Sequence, residues 1–171
     1  EEVEIVANSS WSCIHGIERW RDDCGCNSGG RPGWTQKWRK PLRTAMNQLR
    51  DWIAPFYEHE AGQYLKDPWK ARDEYIEVVL DRSRPNVEKF LAAHAATELT
   101  HDDKLRVLQL LEMQRHSMLA FTSCGWFFDD ISGIESVQVI QYACRALQLH
   151  AELFGDGLEG VFLEKLEKAK S

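Results

Sequence analysis

The sequence predicts an all-α fold, a bundle-like domain of five to six helices with long ordered loops at 9–34 and 122–133. Three observations carry this prediction. Apolar residues recur at the 3, 4 spacing of a helix face through most of the chain beyond Trp38. Aspartate, threonine and proline stand where helices begin. Two stretches rich in tryptophan, cysteine and phenylalanine lack any such period, which marks them as loops between the helices.

The opening EEVEIVA alternates Val3 and Ile5 with acids, the pattern of a short edge strand. No later segment offers it a partner strand, so its sheet is expected upstream in a longer protein. Residues 9–34 follow, with three of the chain's five cysteines and three of its seven tryptophans. Trp38, Leu42, Ala45, Leu49, Trp52, Ile53 and Phe56 then mark one face of a first long helix, with Pro41 in its first turn and Pro55 predicting a kink or stop. Asp67-Pro68 reads as an N-cap and first-turn pair for a helix through Trp69, Ile76, Val79 and Leu80. Pro85 opens another, with Val87, Phe90, Leu91 and His94 on one side; His94 reads as a core histidine. Thr100 and Asp103 resemble a capping box ahead of a helix from about His101 to Phe121. After TSCGWFFDDISG, the residues Val137, Ile140, Cys144, Leu147, Ala151 and Phe154 mark a last long helix. Gly155, Gly157 and Gly160 end it before a charged amphipathic tail.

A chain of 171 residues fits one domain with a core that needs neither metal nor disulfide for stability. The formal net charge of −6 excludes a nucleic-acid backbone or an anionic membrane surface as the main partner, because both select clustered Lys and Arg. Arg39, Lys40 and Arg43, beside Arg31 and Lys37, are the local exception. No apolar run is long enough to span a membrane and no secretory-type leader opens the chain, so the expected location is cytoplasmic.

Candidate chemistry gathers in three places. In Cys124-Gly-Trp-Phe-Phe-Asp-Asp, three consecutive aromatics precede two carboxylates; either they plug and cap the bundle, or flat rings cover a sugar's C–H face while carboxylates accept its hydroxyl hydrogens. On the preceding helix, Glu112 and His116 share a stripe with Leu105, Leu108 and Leu119, which makes them a buried hydrogen-bonded pair or the polar floor of a pocket also lined by Trp126 and Asp129. Cys13, His15, Cys24 and Cys26 invite a zinc reading, yet a single-residue spacer fits poorly with the usual C-x₂₋₄-C pattern. The expectation is therefore no metal and no cofactor, with those four residues as the alternative. Cys144 falls on an apolar face. The adjacent Asp129 and Asp130 diverge in most backbone conformations, so no glycosidase carboxyl pair is forced and no catalytic residue is assigned.

Together, NSSWSCIHGIERWRDDCGC, GWTQKWRKPLRTAMNQLRDWIAPFYE and FTSCGWFFDDISGIESVQVIQYACRALQL resemble the C-terminal helical domain of unknown function in bacterial proteins related to glycoside hydrolase family 57, the α-amylase-like and α-mannosidase-like group. The resemblance covers nearly the whole chain. It implies that residues 1–171 are a single accessory domain following a (β/α) barrel, which bears the catalytic Glu and Asp. It also implies that Trp11, His15 and Trp20 on one loop, and Trp126, Phe127, Asp129 and Asp130 on the other, face that barrel. The expected function is to help form or close an α-glucan or oligosaccharide cleft without being catalytic alone. In this reading Trp11, Trp126 and Phe127 stack on sugar, Asp129, Asp130 and His116 hydrogen-bond to it, and Glu112 lines the site. The alternative is a docking module that never touches substrate.

Overall fold

The structure, a computed structural model describing residues 2–170, is all-helical: seven α-helices and two short 3₁₀ turns. The helices are α1 (Arg39–Ala61), α2 (Pro68–Glu74), α3 (Ile76–Leu80), α4 (Arg84–His94), α5 (His101–Leu119), α6 (Ile134–Phe154) and α7 (Leu158–Leu166). The core is built chiefly by α5 against α6, with α1 packed on α5 and α7. Residues 2–8 form no strand among the described residues and leave Val3, Ile5 and Val6 exposed.

Start signals near the chain's own backbone act as read. Asp67 accepts from the Lys70 amide at 3.0 Å. Thr100 and Asp103 close a reciprocal capping box. Helix α1 has no such cap; the Asp23 carboxylate, arriving from the 9–34 loop, accepts the Lys40 amide at 3.1 Å instead. Pro55 does not stop α1, which continues to Ala61. Pro55 and Asp51 both lie on the exposed face, where water can hydrate the carbonyl that proline leaves without a donor. The segment after Pro68 is not one helix, since it breaks at Tyr75 into α2 and α3. Gly160 lies inside α7 and does not end α6.

Two buried faces are rotated from those the apolar pattern marks. On α5 the buried residues are Val107, Leu110, Leu111, Met113, Gln114 and Ser117, so Leu105, Glu112 and His116 occupy the flank. On α6 they include Ser136, Val139, Ala143, Ala146, His150 and Leu153, while Val137 is exposed and Cys144 half-buried. Small side chains let these two helices approach closely, and a pattern read from large apolar residues underweights them. His94 is buried, with Nε2 3.1 Å from Glu74 Oε2.

Candidate functional site

The two long loops meet over the N-terminal end of α1, where buried polar groups hold them. Asp129 is the clamp: its carboxylate accepts the Ser28 amide at 2.8 and 3.0 Å, the Ser28 hydroxyl at 2.6 Å and the Gly30 amide at 3.2 Å. Burial alone raises a carboxyl pKa, but these donors, aided by the Arg39 charge, hold Asp129 below the usual carboxylate range. Its backbone carbonyl accepts from Gln36 Nε2 and Trp38 Nε1, both at 3.3 Å. Trp126 is fully buried and donates its indole N–H to the Arg39 carbonyl at 3.1 Å. Both residues are engaged inside the domain: Trp126 has no exposed face, and the buried Asp129 carboxylate already accepts four hydrogen bonds from the 9–34 loop.

Two arginines complete the junction. Arg39, the first residue of α1, is fully buried; Nη1 donates to the Cys26 carbonyl at 2.6 Å and to Cys24 Sγ at 3.8 Å. Its Nη2 donates to the carbonyls of Phe127 and Phe128 at 3.3 and 3.1 Å. Arg19, also buried, donates to the carbonyls of Phe127 at 2.9 Å and Ser12 at 3.0 Å. Arg39 belongs in sequence to the basic group with Lys40 and Arg43, but in the fold Arg39 is interior and Arg43 lies half-buried over Phe121. The available signal was phase, because Arg39 precedes Leu42 and Met46 at the spacing of the buried face.

Beneath these arginines Cys13, His15, Cys24 and Cys26 converge, their donor atoms all within 4.8 Å of one another. Cys13 Sγ lies 3.8 Å from His15 Nδ1, 3.8 Å from Cys24 Sγ and 3.7 Å from Cys26 Sγ, and Cys26 Sγ lies 3.4 Å from His15 Nδ1. Cys13 is buried, Cys24 and Cys26 are half-buried, and His15 is exposed. The donors meet despite single-residue spacers because glycines turn the backbone beside them. Gly25 (φ 73°) separates Cys24 from Cys26. Gly16 (φ 71°) follows His15 and closes a turn by donating its N–H to the Cys13 carbonyl at 3.1 Å. Burial opposes ionisation of Cys13, but the His15 backbone and ring, the Arg19 amide and the Cys26 thiol together bring it down to about 6. Burial pushes Cys24 up.

Glu112 and His116 lie elsewhere, in a groove shared with Tyr75, Arg82 and Arg145, and Trp126 and Asp129 do not join them. This corrects the single pocket expected of the four. Glu112 accepts from Tyr75 Oη at 2.8 Å, Arg82 at 2.7 Å and Arg115 at 3.1 Å, and His116 Nε2 lies 3.7 Å away. Burial raises Glu112, yet these donors leave it below its ordinary value. The carboxylate is thus held in place by three hydrogen bonds from neighbouring side chains.

Of the remaining candidates, Trp20 is pinned by its indole N–H to the Ser123 carbonyl at 2.8 Å. Asp130 accepts the Ser132 amide at 2.7 Å. Trp11 is 94% exposed, its ring 6.1 Å from that of the half-buried Phe127, and Ile14 is equally exposed. Exposed Phe128 extends this aromatic surface.

Fold and site define an all-helical domain whose Cys- and Trp-bearing N-terminal loop is cross-tied to an interhelical aromatic loop. The chain belongs to the family described as domain of unknown function DUF3536, whose model matches residues 34–171; the four clustered Cys and His residues precede the matched segment. No curated protein and no solved structure matches the chain. Among the described residues, no helix is long and apolar enough to cross a membrane.

Proposed function

We propose that this domain is a non-catalytic accessory unit of an enzyme similar to the family 57 glycoside hydrolases, and that its 9–34 loop docks on that enzyme's (β/α) barrel. The observation that carries the reading is Trp11, 94% exposed on a loop that hydrogen bonds fix from behind. An ordered, solvent-facing indole beside an equally exposed Ile14 forms an apolar surface of the kind that a partner covers. The sequence resemblance supplies the partner's identity.

Docking is favoured over sugar binding because Trp126 and Asp129, two residues expected to touch sugar, are spent inside the domain. A second reading rests on the Trp11–Phe127 pair, whose rings are tilted by 40° and could flank an oligosaccharide at the barrel's edge. One experiment separates them. In the full-length enzyme, Trp11→Ala combined with Ile14→Ser is followed by small-angle scattering and by turnover of maltooligosaccharides. Docking predicts that the two domains separate and expand. A cleft role predicts an unchanged envelope with a raised KM. An unchanged envelope with unchanged kinetics would defeat both readings.

A further inference from the structure

We propose that Cys13, His15, Cys24 and Cys26 bind a single zinc ion in a closed tetrahedral site that fixes the N-terminal loop. The first argument is metric. Ligands at the usual zinc–sulfur and zinc–nitrogen bond lengths, spread at the tetrahedral angle, leave sulfurs about 3.8 Å apart and a sulfur and a nitrogen about 3.6 Å apart. The observed edges are 3.7 and 3.8 Å between sulfurs, and 3.4 and 3.8 Å between sulfur and nitrogen. These match four of the six edges of one coordination tetrahedron, and all four donor atoms lie within 4.8 Å of one another.

The arrangement also discriminates among metals. Cys13 Sγ has all three other donors within 3.8 Å, whereas in a square one of them would sit across the metal, about 4.5 Å away, so planar copper(II) or nickel(II) is disfavoured. An iron–sulfur cluster divides its ligands among bridged irons and spreads them further apart than one ion does. Three thiolates and an imidazole are too soft for magnesium, calcium or manganese.

Charge points the same way. Arg19 and Arg39 are buried close together, and their hydrogen-bond acceptors are backbone carbonyls and Cys24 Sγ; the Asp129 carboxylate, which feels the Arg39 charge, spends its hydrogen bonds on Ser28 and Gly30 and leaves one negative charge for two arginines. Buried guanidinium groups need compensating negative charge. Three thiolates around one divalent ion carry a net charge of −1, placed where Arg39 already donates to Cys24 Sγ and the Cys26 carbonyl, the outer-shell contact typical of metal–thiolate sites. The exposed His15 leaves a path by which the ion can enter. A metal would add to the hydrogen bonds that hold this segment: between Trp11 and Cys26 its regular structure is one 3₁₀ turn at Glu18–Trp20, and its buried side chains are Cys13 and Arg19. When zinc binds, thiol protons pass to solvent and no electrons move.

The test uses the full chain expressed without a polyhistidine tag. Elemental analysis is expected to find about one zinc per chain, and X-ray absorption to find three sulfur neighbours and one nitrogen. Cobalt(II) replacing zinc should show the visible bands of a tetrahedral thiolate complex. Cys26→Ser and Cys13→Ser are expected to lose the metal, His15→Cys to keep it, and Cys124→Ser and Cys144→Ser to be indistinguishable from wild type. Should the serine variants fail to fold, the wild-type stoichiometry and absorption spectrum decide alone. Folded wild-type protein with substoichiometric zinc, iron with inorganic sulfide, a Cys13–Cys26 disulfide in freshly prepared material, or full zinc retention in Cys26→Ser would each overturn the proposal.

Discussion

Ser28 and Asp129, 101 residues apart in sequence, are joined by three hydrogen bonds: the amide to both carboxylate oxygens and the hydroxyl to one. The contact fastens the loop before α1 to the loop before α6, and the Gly30 amide adds a fourth hydrogen bond. A side chain expected to hold substrate therefore holds the chain's own backbone.

Replacing Asp129 should loosen both loops. Asp129→Asn turns an amide NH₂ toward donors and should cost about 1.5–3 kcal/mol, the range for charge-assisted bonds, with Ser28→Ala costing less. The pH dependence follows from the lowered carboxyl pKa. A group whose folded pKa is depressed contributes stability above its unfolded value, about 3.9 for Asp, and loses it as pH falls through the folded value. Urea unfolding between pH 7 and pH 3 should show a smaller acid loss in Asp129→Asn than in wild type; parallel curves would count against the clamp.

Trp126 and Trp11 should respond in opposite ways to truncation. Trp126 is fully buried and tied to the Arg39 carbonyl, so Trp126→Ala should cost about 3–5 kcal/mol. Trp11→Ala should change stability by less than about 0.5 kcal/mol, as exposed substitutions usually do. Thermal or urea denaturation of the two variants measures the contrast. A mild Trp126→Ala effect would mean that the indole is not part of the core.

Gly125 tests the seat of the aromatic loop on α6. A Cβ there would lie 2.7 Å from both methyl carbons of Val139, closer than carbon atoms tolerate, and its carbonyl accepts the Ser136 hydroxyl at 2.7 Å. Gly125→Ala should cost about 1–3 kcal/mol by overpacking. Adding Val139→Ala should recover part of that loss, so a double-mutant cycle reads the coupling directly. Strictly additive effects would place the two residues out of contact.

What the sequence disclosed tracks the range of each interaction. The stripe of Leu42, Ala45, Leu49 and Ile53, the Asp67 cap and the Thr100–Asp103 box depend on neighbours within a few turns, and all were readable. The sequence leaves Trp126 and Asp129 open between closing the bundle and meeting sugar, and leaves Arg39 among other basic residues, because their partners are distant in sequence: Trp126 and Asp129 reach back to Arg39 and Ser28, and Arg39 reaches forward to Phe127 and Phe128. Single-residue spacers argued against convergence of the cysteines, but spacing rules assume ordinary backbone, and Gly16 and Gly25 adopt left-handed conformations. The glycines were visible; their φ values were not.

His150 supplies a pH response independent of the loops. It is buried in α6, with its ring 4.7 Å from Phe56 and 5.1 Å from Phe154, and its Nε2 has no hydrogen-bond partner. Burial lowers its pKa, so the folded state favours the neutral ring. Burial likewise lowers His116, with Glu112 partly opposing. The sign follows from linkage: above the unfolded value, about 6.5, both states are neutral and nothing is lost, whereas below it the unfolded chain binds the proton first and stability falls until the folded pKa is passed. His150→Leu should lie within about 1.5 kcal/mol of wild type at pH 7, as near-isosteric apolar swaps do. It should lose less stability than wild type between pH 7 and pH 5, because changes at the cysteine cluster are common to both proteins. Urea unfolding at the two pH values measures the difference, and equal losses would show that the ring takes up its proton as readily in the fold as in the unfolded chain.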